Sequence, residues 1–378
     1  MRLDFAGSAS ALAAPARPAA GAELRRPRFT LQAEMGGSCL KLEVALIGCG
    51  GHAGTHAEAI QASSFARLVA CADLDEGRAR QFAQRHGIPA SYGALAPMLR
   101  ERKPELLIIA AFPTAHPSLV REAVSHGVQA ILCEKPLALN ASQAREIAEL
   151  SERTGALIAE GLMYRSHPQI AQAKRLVAEG AIGAVRYIHA QFTDYESASP
   201  DNWRNNRALG GGSMTAKGCY LVDVCNEFAG ARARAAFAVE TVHPVFGVEI
   251  GVTGTILYEN GVTAQFETNH RSVWREEIRI CGTKGTLRIP HAIVTKAQPR
   301  EFVLERDGAY EARPMRVETF AFEAGNSYAM QLHRLYRCIR EGGEPPVPLA
   351  DSCRNYRVTD ALMRSAASGR LEPVEWDD

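Results

Sequence analysis

Gly48, Gly50 and Ala53 fill the three small-residue positions of a G-x-G-x-x-G/A motif, directly after the apolar run 44–47. The first glycine permits a tight turn, the second lets the backbone approach a phosphate, and the small third residue lets a helix pack on the strand. Backbone N–H groups at the start of that helix favour an anion. These residue types at this spacing predict a site for the pyrophosphate of a dinucleotide, with Gly51 among its contacts.

A carboxylate follows the second apolar run. Asp73 comes directly after residues 68–72 and twenty residues after Ala53, where a dinucleotide-binding fold places an acid on the ribose hydroxyls. Because a carboxylate repels a 2′-phosphate, Asp73 favours NAD over NADP, although the nearby Arg78 leaves the use of NADP open. The alternative interpretation is that Asp73 is a solvated turn residue.

Residues 134–136, Glu-Lys-Pro, place an amine after the apolar run 130–133. Since ligands of parallel sheets bind at the carboxyl ends of the strands, we expect Lys135 to project beside the dinucleotide and to reach a substrate oxygen. The alternative is that Lys135 pairs with Glu134 at a strand end. The other cofactor contacts predicted at this edge are Glu134 itself and, after the run 106–111, Pro113 and His116.

Two hydrophobic patterns divide the chain. From residue 41 to about 160, continuously apolar runs alternate with amphipathic helical stretches, which predicts a parallel, doubly wound sheet buried on both faces. From about residue 187, alternating apolar and polar stretches predict an α/β domain built on a large, mostly antiparallel open sheet. Helical spacing recurs at 328–340 and 350–368. The predicted strands are 44–47, 68–72, 106–111, 130–133 and 157–159, then 187–192, 263–266 and 278–280.

Composition excludes several classes of protein. A chain of 378 residues that is 46% hydrophobic has enough apolar material for two domains. The net charge of +1 offers no basic field for nucleic acid or membrane, and no apolar stretch reaches the roughly 20 residues of a spanning helix. Nine cysteines without a CxxC pair favour core positions in a reducing cytoplasm. Residues 1–38, rich in Ala, Pro, Gly and Arg, are predicted to be disordered.

Several short motifs follow one another between residues 48 and 223. They are Gly48-Cys49-Gly50, Asp73, Pro113 with His116, residues 134–136, the segment 160–165, Gly210-Gly211-Gly212, and Gly218-Cys219-Tyr220 with Asp223. With them the chain resembles the glucose-fructose oxidoreductase and inositol dehydrogenase (Gfo/Idh/MocA) family. The resemblance implies a Rossmann domain at 41–160, a substrate-binding and oligomerisation domain at 161–378, and a bound nicotinamide cofactor. It also implies a polyol or sugar-like substrate and a catalytic Lys135. The face of the open sheet that no helix covers is expected to mediate a homo-oligomer, a dimer or a tetramer.

Ser213 follows the glycine run 210–212, which is interpreted as a flexible loop, and is predicted to cap a helix. On that helix Ala216, Tyr220 and Asp223 share one face. Members of the family commonly carry Asp at the position of Ala216 and His or Tyr at that of Tyr220. The resemblance therefore implies that Tyr220 is catalytic in a site that lacks the aspartate.

The phenol of Tyr220 can act as a base only if its pKa is lowered. Its unperturbed pKa of about 10 is too high at neutral pH unless a cation stabilises the phenolate, and Lys135 is expected to supply that charge. Lys217, three residues before Tyr220, either contributes as well or points to solvent. A tyrosine on an amphipathic helix is more often a core aromatic residue.

Aromatic and charged residues around this helix are candidates for substrate contacts. An aromatic platform with guanidinium donors would hold hydroxyls or a carboxylate. A solvated or core role for each residue is equally open. The predicted substrate-binding residues are Tyr164, Arg165, Trp203, Arg204, Lys217 and Asp223; no metal site is predicted.

These residues predict an NAD(P)-dependent oxidoreductase that acts on a CH–OH group of a sugar, sugar acid, cyclitol or related polyol. Tyr220 would remove the hydroxyl proton while hydride passes to the nicotinamide, and Lys135 would stabilise the alkoxide. One alternative is a glycosidase that uses NAD transiently. Another is a non-catalytic dinucleotide-binding sensor, which the missing acid at Ala216 favours.

Overall fold

The computed structural model describes residues 41–294, 298–306 and 316–376. The predicted disordered extension 1–38 and Cys39 lie outside the described residues. The eight described cysteines are all free thiols. Within the described ranges, every helix is too short or too polar to cross a bilayer.

Six parallel strands form the first sheet. They are β1 (Leu42–Ile47), β2 (Ala66–Ala72), β3 (Ser91–Tyr92), β4 (Leu106–Ile109), β5 (Ala130–Cys133) and β6 (Leu157–Glu160). Their order, β3-β2-β1-β4-β5-β6, reverses direction between β1 and β4, which is where such sheets bind dinucleotides. Strands β4 and β5 are buried throughout, as their continuously apolar sequences predict. The predicted doubly wound sheet is confirmed.

The helices of this half begin and end at residues suited to those positions. Asp75 and Asn140 each accept a backbone N–H in the first turn of their helices, and Gly87 and Gly155 end those helices in the left-handed conformation. The helices are α1 (Gly51–Gln61), α2 (Glu76–His86), α3 (Leu95–Glu101), α4 (His116–Ser125) and α5 (Ala141–Thr154), with short 3₁₀ turns at Pro113–Ala115 and Met163–Ser166.

Nine strands form the second sheet. They are β7 (Val185–Tyr195), β8 (Ala233–Val242), β9 (Glu249–Tyr258), β10 (Thr263–Asn269), β11 (Arg271–Gly282), β12 (Gly285–Pro290), β13 (Arg300–Arg306), β14 (Arg316–Phe322) and β15 (Glu372–Pro373). Their order is β14-β13-β12-β11-β7-β10-β9-β8-β15. All neighbours are antiparallel except β7 and β10, so the predicted mostly antiparallel sheet is confirmed.

Helices cover one face of this sheet. They are α6 (Pro168–Ala178), α7 (Cys219–Ala229) and α9 (Leu349–Ser368), with 3₁₀ turns at Trp203–Asn205 and Arg207–Leu209 and a π-helical turn at Met214–Gly218. A further helix, α8 (Ser327–Glu341), packs with the core of the first sheet. Helix α7 packs on β7 and β10, and α9 packs on β8. On the other face of β8, Phe237 and Val239 are exposed. Helix α8 packs against α1 and so joins the two sheets beside the glycine turn.

Candidate active site

The glycine turn after β1 forms an open cradle at the start of α1. Gly48 has φ +91°, and a Cβ there would lie 2.6 Å from the carbonyl oxygen of Ala110, so only glycine fits. Gly50 and Gly51 line the cavity with open space where a Cβ would be, and no side chain caps the helix. Ala53, in the first turn of α1, is fully buried. Free helix N–H groups beside open backbone suit a pyrophosphate.

Asp73 lies at the carboxyl end of β2 and ties down the glycine turn. Its Oδ2 accepts the backbone N–H of Cys49 at 2.8 Å, and its Oδ1 accepts that of Asp75 at 2.9 Å. The guanidinium of Arg78, half exposed and in the cavity wall, lies 3.4 Å from Oδ1. The carboxylate is therefore fixed where a ribose would be recognised, with a cation beside it.

Glu134 is buried at the end of β5, between two histidines of α1. His56 Nε2 donates to its Oε1 at 2.6 Å, and His52 Nε2 lies 3.4 Å from the same oxygen. Burial raises the pKa of Glu134, but the two histidines outweigh burial and hold it well below its usual range. Tyr328 from α8 lies 2.9 Å from His52. Sequence analysis missed His52, His56 and Tyr328, because no spacing rule links them to Glu134.

The amine of Lys135 reaches across from β5 to the π-helical turn. Its Nζ donates to the carbonyl oxygen of Ala216 at 2.7 Å and lies 5.0 Å from the ring centre of Tyr220. This contact uses one of the three ammonium donors, and no other described residue accepts from the amine. Lys135 does not pair with Glu134 through its side chain; only its backbone N–H donates to that carboxylate.

Tyr220 lines the cavity with its phenol almost fully covered. The hydroxyl donates to the sulfur of Met163 at 3.5 Å, and its ring lies 6.1 Å from that of Phe192. Burial raises the pKa of Tyr220 well above its usual range, and the negative charge of Glu134 adds to the effect. Burial therefore favours the protonated phenol, and the stabilisation of a phenolate by Lys135 stays a prediction.

A π-helical turn separates the glycine run from α7. Ser213 makes no capping hydrogen bond, so its predicted role as a helix cap is wrong. Ala216 and Tyr220 line the cavity, whereas Asp223 is fully buried away from it. The predicted common face therefore includes Ala216 and Tyr220 but not Asp223. Turns of the π-helical kind recur at functional sites.

Lys217 belongs to the cavity wall and does not point to solvent. Its amine forms an ion pair with Asp194 of β7, and it lies 2.5 Å from Nδ1 of His270, which follows β10. Burial lowers the pKa of Lys217 to about 8, although Asp194 raises it in part. Neither Asp194 nor His270 was predicted from the sequence.

Trp203 and Arg204 form another part of the wall. The guanidinium lies 5.1 Å from the indole ring, and its Nε is 3.4 Å from Glu196. A Cβ on Gly211 would lie 2.6 Å or less from the backbone carbonyl oxygens of both residues. The glycine run is thus a close-packed support for this segment, and its interpretation as a flexible loop is wrong.

Three predicted substrate contacts lie outside the cavity. Arg165 binds Asp223 through two hydrogen bonds of 2.6 and 2.8 Å and Asp351 through one of 2.6 Å. Tyr164 donates to Asp223 at 2.5 Å, and Asn355 donates at 2.6 Å. These polar groups satisfy one another's hydrogen bonds in the core. Tyr164, Arg165 and Asp223 therefore stabilise the fold and do not line the cavity, in contrast to the substrate roles predicted for them.

His116 is also a structural residue, although Pro113 lines the cavity. The ring of His116 is fully buried, with Nδ1 2.7 Å from the carbonyl oxygen of Pro136 and Nε2 3.0 Å from that of Ala111. Burial lowers its pKa, although the two carbonyl acceptors raise it in part. It joins two strand ends and has no surface toward a cofactor.

The glycine turn, Lys135, Tyr220 and the segment with Trp203 and Arg204 line one cavity of about 900 Å³. From the predicted set, the wall contains Gly48, Gly50, Gly51, Asp73, Pro113, Glu134, Lys135, Trp203, Arg204, Lys217 and Tyr220. The unpredicted members include His52, Phe192, Asp194, Glu196, Trp274 and Tyr328. The dinucleotide cradle and the two candidate catalytic groups therefore share one space.

Known proteins match both halves of the chain. Residues 42–162 match the NAD-binding Rossmann fold of an oxidoreductase family, and residues 170–288 match the GFO/IDH/MocA C-terminal domain. The chain is 30% identical to D-xylose 1-dehydrogenase (NADP(+)) 2 of Haloferax volcanii over 82% of its own length and 93% of the relative.

Two solved structures are similar along nearly their whole length. One is KijD10, a 3-ketoreductase from Actinomadura kijaniata in complex with NADP and TDP-benzene: 25% identity, TM-score 0.78, covering 86% of this chain and 98% of the other. The second is aldose-aldose oxidoreductase from Caulobacter crescentus complexed with glycerol: 26% identity, TM-score 0.78, covering 88% and 99%. The chain belongs to the GFO/IDH/MocA family of NAD(P)-binding oxidoreductases.

Proposed function

We propose that this protein transfers hydride between NAD(P) and a CH–OH carbon of a sugar-like polyol. The observation that carries the proposal is that one cavity contains both the glycine cradle and the Lys135–Tyr220 pair. The open backbone at Gly50 and Gly51, with Asp73 fixed beside it, fits a dinucleotide. When bound, the nicotinamide supplies the hydride acceptor or donor.

Lys135 and Tyr220 act on the oxygen of the reacting carbon. The ammonium has donors to spare after its bond to Ala216, and burial favours the protonated phenol. As hydride reaches the carbonyl carbon in reduction, Lys135 would stabilise the negative charge on the oxygen and Tyr220 would give that oxygen its proton. In oxidation Tyr220 would take the hydroxyl proton as hydride leaves the same carbon. Glu134, held by His52 and His56, fixes the backbone of Lys135 through its N–H.

Tyr220→Phe tests the phenol as a hydrogen-bond donor. We expect kcat to fall roughly 10- to 100-fold, the usual effect of losing a hydrogen bond to a charged oxygen. The pH profile of the remaining activity should keep its shape, since the phenol does not titrate in the working range. A variant with full kcat would remove Tyr220 from the site's chemistry.

The ribose pocket supports NAD with NADP as a second cofactor. Asp73 disfavours a 2′-phosphate, and the half-exposed Arg78 favours one. Arg78→Ala should weaken NADPH binding by about tenfold relative to NADH, measured by fluorescence titration of both. An equal loss of affinity for NADPH and NADH would show that Arg78 does not bind the 2′-phosphate.

The wall around Lys135 supports a sugar-like substrate. Trp203, Trp274 and Phe192 offer apolar faces to C–H groups, and polar groups between them offer partners to hydroxyls. The relatives named as a xylose dehydrogenase and an aldose oxidoreductase agree with this class. A panel of sugars, sugar acids, cyclitols and dihydrodiols with NAD and NADP tests it by the appearance of reduced cofactor. A glycosidase with transient oxidation would release product without net reduced cofactor.

We further propose that residues 41–160 form the cofactor domain, and that the segment from residue 161 to the C-terminus binds substrate and mediates a homo-oligomer. The exposed Phe237 and Val239 on the uncovered sheet face support such an interface. The free thiols support a reducing compartment, the cytoplasm. Light scattering measures the molar mass of the particle in solution for wild type and for Val239→Lys. If this sheet face forms the interface, the variant should have the lower mass.

A further inference from the structure

The second sheet contributes a charged wall to the cavity. Asp194 of β7 and Lys217 of the π-helical turn form a buried ion pair, and Nδ1 of His270 lies 2.5 Å from the amine and 3.3 Å from Oδ1 of Asp194. The pairing of β7 with β10 brings position 194 to position 270, and the π-helical turn that packs on these strands brings Lys217 to both. The cluster is the least expected part of the site.

The two oxygens of Asp194 differ. Both the amine and the imidazole contact Oδ1, whereas none of the described residues donates to Oδ2. The side chain remains partly accessible in the cavity wall, while Lys217 and His270 are buried behind it. Oδ2 is therefore the acceptor that this wall presents to a ligand.

The cations of this wall already have acidic partners. Lys217 pairs with Asp194, and Arg204 lies 3.4 Å from Glu196. Asn202 donates to the second oxygen of Glu196 at 3.0 Å, so that acid is satisfied. An anionic group placed against Asp194 would face its carboxylate, and the two cations beside it, Lys217 and Arg204, each already lie near an acid.

Aromatic rings frame this acceptor. Phe192 and Trp274 meet edge to face with ring centres 5.3 Å apart, and the amine of Lys217 lies 5.9 Å from the Phe192 ring. Apolar ring faces beside a single acceptor match a polyol, whose C–H groups and hydroxyls alternate.

We infer that Asp194 determines specificity by accepting a hydroxyl of an uncharged sugar or polyol through Oδ2, while Lys217 and His270 position its carboxylate. Sugar acids and sugar phosphates that place their charge against this wall are rejected. The inference rests on the proposed function and names the substrate class of the same site.

The ion pair gives this wall a pH dependence. Burial raises the pKa of Asp194, but hydrogen bonds and charge from His270 and Lys217 lower it more strongly, so the net shift is downward. Burial lowers the pKa of Lys217 to about 8, and the attraction of Asp194 reverses only part of that shift. The other charged groups facing the amine are Glu196 and Arg204. Above pH 8 the amine loses its proton and no longer holds Oδ1 as an ammonium. For the uncharged substrate, kcat/KM should therefore fall as pH rises through about 8.

Matched substrate pairs test the inference directly. The pairs are D-glucose with D-glucuronate and with glucose 6-phosphate, and D-galactose with D-galacturonate, each assayed for kcat/KM with NAD and NADP. We expect the uncharged member of each reactive pair to be preferred by at least about tenfold, the cost of one lost or repelled polar contact. Equal use, or preference for the charged member, overturns the inference. Absence of cofactor reduction with every compound would instead contradict the proposed function.

Variants locate the effect at Asp194. Asp194→Asn should raise KM for the uncharged substrate roughly 10- to 100-fold and narrow the discrimination against the uronate, with NADH affinity unchanged. Lys217→Met should raise KM in the same way. Lys217→Arg should retain wild-type KM and lose the alkaline decline. The exposed Glu301→Gln is the control for removing an acid elsewhere on the sheet. Unchanged KM and unchanged preference in Asp194→Asn would overturn the assignment.

Discussion

Replacing Lys135 by Met is expected to lower kcat roughly 10³-fold, because the reacting oxygen loses a preorganised cationic donor. The affinity for NADH should change by less than about threefold, since we propose that the glycine cradle and Asp73 supply most contacts to the dinucleotide. Steady-state kinetics and fluorescence titration measure the two effects separately. Methionine is unbranched like lysine and keeps most of the length of the side chain while it removes the amine that donates to Ala216.

Two comparisons make this result specific. Lys103→Met removes an exposed lysine in the first half of the chain and should leave kcat unchanged. Lys135→Arg retains the charge with a different shape and should recover only part of the rate. Equal losses of turnover and cofactor affinity in Lys135→Met would contradict a role at the reacting oxygen.

Replacing Arg165 by Met is expected to destabilise the fold by about 3–5 kcal/mol, because it leaves buried Asp223 without its cation. Asp351 and Glu227 lose the same partner, so three carboxylates would remain close together. Urea unfolding followed by circular dichroism measures the loss of stability.

The matched control for that variant is Arg121→Met. Arg121 forms an exposed pair with Glu146 at 3.3 Å, and its removal should cost less than about 1 kcal/mol. If Arg165→Met were as stable as the control and raised KM instead, Arg165 would be a substrate contact, as its sequence position first indicated.

The cofactor half of the site could be predicted because its determinants are local in sequence. Gly48, Gly50 and Asp73 are defined by their distance from two apolar runs, and each run became the expected strand. Lys135 was predictable for the same reason, since it directly follows a buried strand and ligands gather at strand ends.

The substrate half depends on contacts that are remote in sequence. Asp194 and His270 lie 76 positions apart and meet through strand register. Residue type alone gave the wrong function for Arg165 and His116, because both side chains are suited to bind ligands. In the structure Arg165 binds three acids and His116 contacts two backbone carbonyls, so both stabilise the core. No local pattern distinguishes these uses.

The spacing argument for the helix after the glycine run was correct only in part. Ala216 and Tyr220 both line the cavity across the π-helical turn, whereas Asp223, three residues after Tyr220 in α7, is held in the core by Tyr164 and Arg165. Gly211 was interpreted as flexible because glycine permits flexibility, whereas here its missing Cβ permits close packing. Composition alone does not separate these two uses of glycine.

A crystal structure with NADH bound tests the central claim most directly. We predict the pyrophosphate at Gly50 and Gly51, and the nicotinamide in the cavity beside Lys135 and Tyr220. A nicotinamide bound away from Lys135, or an amine turned out of the cavity, would contradict it.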